Sequence, residues 1–208
     1  MPTAATFPQA PSELRSVLAQ LLAFFPSPVT LPSPEAMVAR EACCALDTIQ
    51  QEMERLPHGT RRLAVQLRLN LAPEWIWSVL IDYDHLDQFI PNLASSRQLW
   101  RRGNQVALEQ VGTQQFCGLR FSARVQLELN EEPDQGRLAF RMLEGDFRCF
   151  QGLWQVGVDD TSTWLLYDLT VQGKPGMPIG LIEQRLKEDL ASNLRGVQRE
   201  AQRRFEAD

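Results

Sequence analysis

The hydrophobic pattern changes its period at Arg61, and this change constrains the fold more than any other feature of the chain. Beyond Arg61, apolar and polar residues alternate, which is the pattern of a β-strand with one buried face. The apolar positions are Leu63, Val65, Leu67, Leu69 and Leu71. A second regular alternation carries Phe121, Ala123, Val125, Leu127 and Leu129. Two such segments favour a sheet with one face buried and one face in water.

The segments after Ala72 complete the prediction of a sheet followed by a helix. Pro73 predicts the start of a short helix through Leu80, and a second helical turn is expected over Asp84–Phe89. Strands are predicted at about 96–102, 105–116, 119–130, 137–145, 148–158 and 162–172. Tight turns between consecutive strands imply antiparallel pairing. From Pro178, a final long helix carries one apolar stripe of Ile182, Leu186, Leu190, Leu194, Val197, Ala201 and Phe205.

These elements predict an α+β fold in which a curved antiparallel sheet of about seven strands wraps around the long C-terminal helix. A curved sheet that grips a helix leaves a cavity between the two, and that cavity is the natural place for a ligand. We therefore expect residues 60–208 to form one domain.

Residues 1–59 are predicted to form a proline-rich extension with two helices. Seven of the thirteen prolines lie within residues 1–34. One helix is expected over 13–25, with Ser12 as its N-cap, and a second over 35–56, with Ser33 as its N-cap. No apolar run of the chain is longer than Leu21–Phe25, which is far short of a membrane span. Packing against the domain, pairing between subunits, and docking on a membrane or a protein through 1–56 are left open.

Composition excludes several classes of function. The net charge of −5 comes without a basic stripe, which argues against nucleic acid as a partner. The four cysteines, at 43, 44, 117 and 149, include no C-x-x-C, and the two histidines lie far apart in sequence, so we expect neither a metal nor a cofactor. Free thiols indicate a reducing, cytoplasmic compartment, with a peripheral position at a membrane surface left open. No phosphate-binding or nucleophile motif occurs.

Several segments resemble the START-like (SRPBCC) superfamily, in particular its polyketide cyclase/dehydrase and coenzyme Q-binding family in the form found in oxygenic phototrophs. The segments that carry the resemblance are Leu71–Trp77, Asp82–Leu86, Phe89–Asn92, Gly145–Trp154 and Leu165–Tyr167. The resemblance covers about 61–205 and implies the helix-grip fold. It implies binding, and transport or presentation, of a small hydrophobic ligand such as a lipid, quinone or isoprenoid. A cyclase/dehydrase activity and a non-catalytic assembly role are the alternatives.

The side chains expected to line the ligand cavity are the large apolar ones on the inward faces. They are Val106, Leu108, Phe116, Phe121, Phe140, Met142, Phe150, Trp154, Tyr167, Leu186 and Leu190. The competing interpretation is that these side chains fill a solid core. We predict no catalytic residue, because Glu109, Arg124 and Arg141 fall on the polar sides of their strands. Tyr167 is the exception, a phenol on an apolar face that is able to orient a ligand carbonyl.

Overall fold

A computed structural model describes residues 46–116, 119–160, 162–175 and 179–208, without the side chains of 114–116, 119–121, 179–182, 184 and 185. The described residues belong to one compact unit, Ala45–Asp208. Its strands are β1 (Ile49–Arg55), β2 (Arg61–Leu69), β3 (Leu93–Arg102), β4 (Gln105–Phe116), β5 (Leu119–Glu132), β6 (Arg137–Gly145), β7 (Phe147–Val158) and β8 (Thr163–Gly173). Its helices are α1 (Pro73–Leu80), the 3-10 helix Tyr83–Gln88 and α2 (Ile179–Ala207), and two further 3-10 turns of three residues each lie at Pro57–Gly59 and Pro133–Gln135.

All eight strands pair antiparallel in one sheet, in the order β1-β2-β8-β7-β6-β5-β4-β3. The chain leaves β2 through α1 and the 3-10 helix, and it returns to the far edge of the sheet at β3. From β3 onward, consecutive strands are neighbours joined by short turns, and β8 closes the series beside β2. The predicted fold class is confirmed, with eight strands instead of about seven.

The additional strand is β1, and it corrects the prediction of a helix over 35–56 for residues 49–55, while residues 35–45 lie outside the described part of the chain. Residues Ile49–Arg55 pair with β2 in register, from Ile49 opposite Leu67 to Arg55 opposite Arg61. Ile49 and Met53 are four positions apart, a spacing that suits one face of a helix and equally one face of a strand. The free edge of β2 decides between the two, since pairing satisfies the backbone groups of both segments. The sheet therefore begins before the predicted boundary at 59/60. The helix predicted over 13–25 lies outside the described residues.

Helix α2 packs against β2, β8 and α1 and supplies one wall of the core. Its Leu190, Leu194, Val197 and Ala201 are buried together with the inward side chains of the sheet. At Gly196 the helix passes very close to the chain after the 3-10 helix, because a Cβ there would lie 2.3 Å from the backbone oxygen of Phe89. The predicted stripe ends early, because Phe205 is 54% exposed and makes an edge contact with Trp75.

Candidate ligand-binding site

The face of the sheet that turns toward α2 is almost entirely apolar. Nine of the eleven predicted lining residues have described side chains, and all nine belong to the hydrophobic core or pack against it. Five of them are buried, namely Val106, Leu108, Phe140, Tyr167 and Leu190. Four are partly buried, namely Met142, Phe150, Trp154 and Leu186. The other two, Phe116 and Phe121, have backbones at the adjoining ends of β4 and β5, and their side chains lie outside the described part.

A continuous row of five aromatic rings crosses β6, β7 and β8 on this face, and we call it the aromatic row. Its ring centroids are separated by 5.3 Å (Phe147–Phe150), 5.8 Å (Phe150–Phe140), 6.0 Å (Phe140–Tyr167) and 3.9 Å (Tyr167–Trp154). The last pair is stacked with an interplanar angle of 8°, and its members face each other across the β7–β8 ladder. Such rings provide a large, rigid apolar surface for a neighbouring molecule.

Gly152 shapes the middle of the aromatic row. A Cβ at this position would lie 2.0 Å from the backbone oxygen of Asp168 and 2.9 Å from the Cζ atom of Phe140. The missing side chain thus lets the Phe140 ring approach the β7 backbone. The sequence prediction named four members of the row and missed Phe147, which follows the β6–β7 turn directly.

The partly buried side chains gather at one end of the sheet, which we call the open end. The ends of β4, β6 and β8 and the start of α2 lie there, as the antiparallel register requires. Met142, Phe147, Phe150 and Leu186 are all within eight residues of these ends, and each is only partly buried. At the opposite end, the core side chains around Leu69 and Leu165 are at most 1% exposed. The aromatic row is therefore most accessible from the open end.

Buried polar side chains elsewhere in the described residues have partners. Each of the four buried polar or charged residues makes at least one hydrogen bond, in the pairs Ser96–Gln110 (3.2 Å), Thr163–Leu71 (2.6 Å), Asp168–Arg62 (2.6 Å) and Glu131–Tyr83 (2.6 Å). Arg101 also donates to Glu131 from both terminal guanidinium nitrogens, Nη1 and Nη2, at 2.8 and 2.9 Å. These groups are committed to the fold and are not free to bind a ligand.

Two polar groups at core-facing positions lack a hydrogen-bond partner within the described residues, and one of them, the Oδ1 atom of Asn193, is a fully buried atom. The Tyr167 hydroxyl makes no hydrogen bond within the described residues, although the side chain is 7% exposed and its pKa is raised by burial alone. The buried Oδ1 atom of Asn193 likewise has no hydrogen-bond partner in the described part of the chain. The sequence prediction missed Asn193. Its signal was an amide three residues after Leu190 and four before Val197, on an apolar stripe.

The polar residues weighed as catalytic candidates are structural. Glu109 binds Arg124 (3.0 Å) on the outer face, and this contact holds the pKa of the Glu109 carboxyl below its usual value. Arg141 binds Glu128 on the same face (2.7 Å). The prediction that Glu109, Arg124 and Arg141 lie on the polar sides of their strands is confirmed.

The acidic residues around His85 are also structural. Asp82 contacts the His85 ring (2.7 Å) and Arg204 (2.6 Å), and Asp84 accepts the backbone N–H of Gln98 (2.7 Å). Within the described ranges there is no cluster of three or more His, Cys, Asp or Glu side chains that would hold a metal ion.

Two shallow depressions lie on the surface away from the aromatic row. One, of about 340 Å³, is bordered by the β7–β8 turn and residues 70–72. The other, of about 260 Å³, lies between Ile49, Pro91 and the α2 residues Ala191, Ser192, Arg195 and Arg199. Neither depression includes a predicted lining residue. Among the described helices, none is both long and apolar enough to cross a membrane.

Solved structures with the same fold include bacterial lipid-transfer and cyclase proteins. The STAR-related lipid transfer protein of Xanthomonas axonopodis is 16% identical and covers 77% of this chain and 97% of its own, with a TM-score of 0.64. The Zhui aromatase/cyclase of Streptomyces sp. R1128 is 17% identical and covers 70% and 96%, with a TM-score of 0.62. A START superfamily protein of Mycobacterium smegmatis is 18% identical and covers 68% and 97%, with a TM-score of 0.56. These identities establish the helix-grip fold alone.

A comparison with curated proteins finds no match. A family model described as polyketide cyclase / dehydrase and lipid transport matches residues 69–196, more than half of the chain. The match confirms the START-like resemblance, whereas the finer identification with coenzyme Q-binding proteins of oxygenic phototrophs stays a prediction. The match runs from the end of β2 to the Asn193 turn of α2 and so includes the aromatic row. The chain therefore belongs to the polyketide cyclase / dehydrase and lipid transport family.

Proposed function

We propose that the protein binds a small hydrophobic ligand between the concave face of the sheet and α2, and that it carries or presents this ligand. The observation that carries the proposal is the aromatic row, five rings in mutual contact whose members at the open end are only partly buried. Burial of an apolar ligand there gains about 25 cal/mol for each Å² removed from water. The lipid-transport description of the family supports the same function.

The proposed lining consists of the predicted residues Val106, Leu108, Phe116, Phe121, Phe140, Met142, Phe150, Trp154, Tyr167, Leu186 and Leu190, together with Phe147. Ligand entry is proposed at the open end, since Met142, Phe150 and Leu186 are partly buried there. A lipid, a quinone or another isoprenoid suits such a lining. Contact of residues 1–56 with a membrane or a protein stays a prediction.

Binding is favoured over acid–base catalysis by the chemistry of the unpartnered groups. Proton transfer at neutral pH needs a side chain whose pKa lies near the working pH. Burial raises the pKa of Tyr167 above its usual value, which keeps the phenol protonated, and the carboxamide of Asn193 does not titrate. Both groups are able to orient a ligand by hydrogen bonding. A cyclase/dehydrase activity is the alternative, and it would have to proceed through positioning by these groups.

The first test is native mass spectrometry and solvent extraction of protein purified from its own host. A co-purifying apolar compound near one equivalent per chain is the expected result, and it would identify the cargo. The purified protein is then titrated with N-phenyl-1-naphthylamine, an uncharged fluorescent probe of apolar sites. If the folded protein carries no adduct and also fails to bind the probe, the proposed site is contradicted.

A matched pair of variants tests the location of the site. Met142 packs against the core, whereas its neighbour Leu143 is 49% exposed. We expect Met142→Glu to weaken probe binding at least tenfold, because a carboxylate at the open end makes ligand burial unfavourable. Leu143→Glu introduces the same charge one residue away and is expected to change binding less than twofold. Circular dichroism confirms that both variants are folded, and equal probe affinity in the two would contradict the assigned location.

A further inference from the structure

We infer that Tyr167 and Asn193 are the polar contacts of the ligand site, and that they select an uncharged apolar ligand carrying a hydroxyl group. This inference rests on the proposed function and adds the chemical class of the ligand. The two residues lie on opposite walls, Tyr167 on β8 of the sheet and Asn193 on α2. Each presents hydrogen-bonding capacity that the described part of the chain leaves unsatisfied.

The surroundings of Tyr167 leave its hydroxyl without a protein partner. The ring is stacked on Trp154 and lies beside Phe140 within the aromatic row. Its neighbours along the inward face of β8 are Leu165 and Leu169, both at most 1% exposed. The ring is thus fixed by packing, while the hydroxyl keeps both its donor and its acceptor capacity.

Asn193 lies on the core-facing side of α2, as Tyr167 lies on the core-facing side of β8. Residues 186, 190, 193 and 197 recur at helical spacing and share one side of α2. Leu186, Leu190 and Val197 belong to the core or pack against it, so the carboxamide lies on a stripe that faces the sheet. On the adjoining side of α2, Asp189 accepts a hydrogen bond from Asn92, and Gly196 passes close to the backbone of Phe89.

A buried and unpartnered atom such as the Asn193 Oδ1 is energetically unusual in a folded protein. A buried polar atom without a hydrogen bond costs about 1–3 kcal/mol of stability. The four buried polar residues elsewhere in the described chain all have partners, so this fold does satisfy such groups where they serve structure. The Asn193 Oδ1 atom and the Tyr167 hydroxyl, which lie on core-facing positions of α2 and β8, are explained if a bound ligand completes their hydrogen bonds.

The chemistry of the two groups defines the ligand. The Oδ1 atom of Asn193 accepts a hydrogen bond, so the ligand must supply a donor. The Tyr167 hydroxyl either donates a hydrogen bond to a ligand oxygen or accepts one from a ligand donor. A ligand hydroxyl satisfies either group, whereas a hydrocarbon satisfies neither, and a quinone, which only accepts, leaves Asn193 unpaired. Charged head groups fit poorly, because the buried charges of the described residues, Glu131 and Asp168, are already paired with arginines.

The test compares 2-naphthol with 2-methylnaphthalene, in which a methyl group replaces the hydroxyl. Both compete against N-phenyl-1-naphthylamine for the intact protein. We expect the wild-type protein to prefer 2-naphthol at least tenfold. Tyr167→Phe and Asn193→Leu should each reduce this preference to threefold or less, with little change in the affinity for 2-methylnaphthalene. Tyr83→Phe is the matched control, because it removes the same hydroxyl from a tyrosine that is paired within the protein, and it should keep the full preference.

Thermal stability separates ligand selection from a structural role. Replacing an unsatisfied polar group by an apolar one removes its desolvation penalty, so Asn193→Leu and Tyr167→Phe should raise the Tm of the unliganded protein or leave it unchanged. Equal binding of both naphthyl compounds by the wild-type protein, or failure of either to compete, would overturn the hydroxyl selection while leaving the apolar site intact. A preference that survives both substitutions would overturn the assignment of Tyr167 and Asn193. Failure of N-phenyl-1-naphthylamine itself to bind would instead contradict the proposed function.

Discussion

The chain contains two tyrosines, and the structure uses them in opposite ways. Tyr83 is 3% exposed and donates a hydrogen bond of 2.6 Å to Glu131, beneath the Arg101 guanidinium. Tyr167 is 7% exposed and stacks on Trp154, and its hydroxyl has no partner among the described residues. Burial raises the pKa of both phenols, with the Glu131 hydrogen bond adding to the effect only at Tyr83.

The two tyrosines show that similar burial accompanies two distinct roles. Around Tyr83, donors and acceptors satisfy one another and join the 3-10 helix to β3 and β5. This network stabilises the fold and leaves little capacity for a ligand. Around Tyr167, packing fixes the ring and leaves the polar atom free. The Tyr83 region should therefore be sensitive in stability, and the Tyr167 region should be sensitive in binding.

The largest expected effect is on the Tyr83 side of the comparison. Arg101→Leu removes the cation that neutralises Glu131 and should lower the free energy of unfolding by about 3 kcal/mol. This value is at the low end for a buried pair because the Arg101 side chain is 40% exposed and its interaction is partly screened. Urea denaturation of the variant and the wild type measures the change. A loss below about 1 kcal/mol would show that the network does not stabilise the fold.

An intermediate effect comes from the same substitution at both tyrosines. Tyr83→Phe removes a hydrogen bond to a carboxylate and should cost about 2 kcal/mol. Tyr167→Phe removes a hydroxyl without a partner and should change the free energy of unfolding by about 0.5 kcal/mol or less, or increase it. Urea titrations of the two variants provide the comparison. Equal losses at the two positions would break the distinction between the regions.

The smallest expected effect concerns the attachment of α2 near the open end. Hydrogen bonds from Arg55, the larger contribution, and from Arg61 hold the pKa of Glu183 at about 2, below its usual value. Because the folded-state pKa is depressed, the contribution of Glu183 to stability is complete above about pH 4.5 and is lost as the pH falls toward 2. The Tm of Glu183→Gln should therefore fall less steeply than that of the wild type across this interval.

Glu144→Gln is the matched control for the acid titration, since it removes one exposed carboxylate at the open end without touching α2. Its Tm should follow the pH dependence of the wild type. In 1 M salt the difference between Glu183→Gln and the wild type should shrink, because the ion pair with Arg55 is exposed and screened. Parallel curves for all three proteins would contradict a role for Glu183 in attaching α2.

Alternating and helical periodicity predicted most of the architecture. Strands β4 and β6 have the predicted bounds, and the final helix begins next to Pro178 as expected. The error at Ile49–Arg55 arose because local spacing fits two structures, and only the unpaired edge of β2 selects the strand. The inward orientation of Val106, Phe140 and Leu190 was predictable for the same reason that the strands were, because periodicity fixes the face on which a side chain lies.

Local spacing in the sequence was enough to identify seven of the eight strands, the helix that closes the sheet and the apolar faces, whereas the strand Ile49–Arg55 depended on pairing with β2. The tertiary structure decided which polar groups are satisfied. Glu131 finds Arg101 thirty residues away, whereas Asn193, on an equally apolar stripe, finds no partner in the described chain. Hydrogen bonding depends on the positions of atoms brought together by folding, and no local pattern encodes that. The lack of a hydrogen-bond partner at Tyr167 and Asn193, and the ligand chemistry that it indicates, can therefore be recognised only in the folded structure.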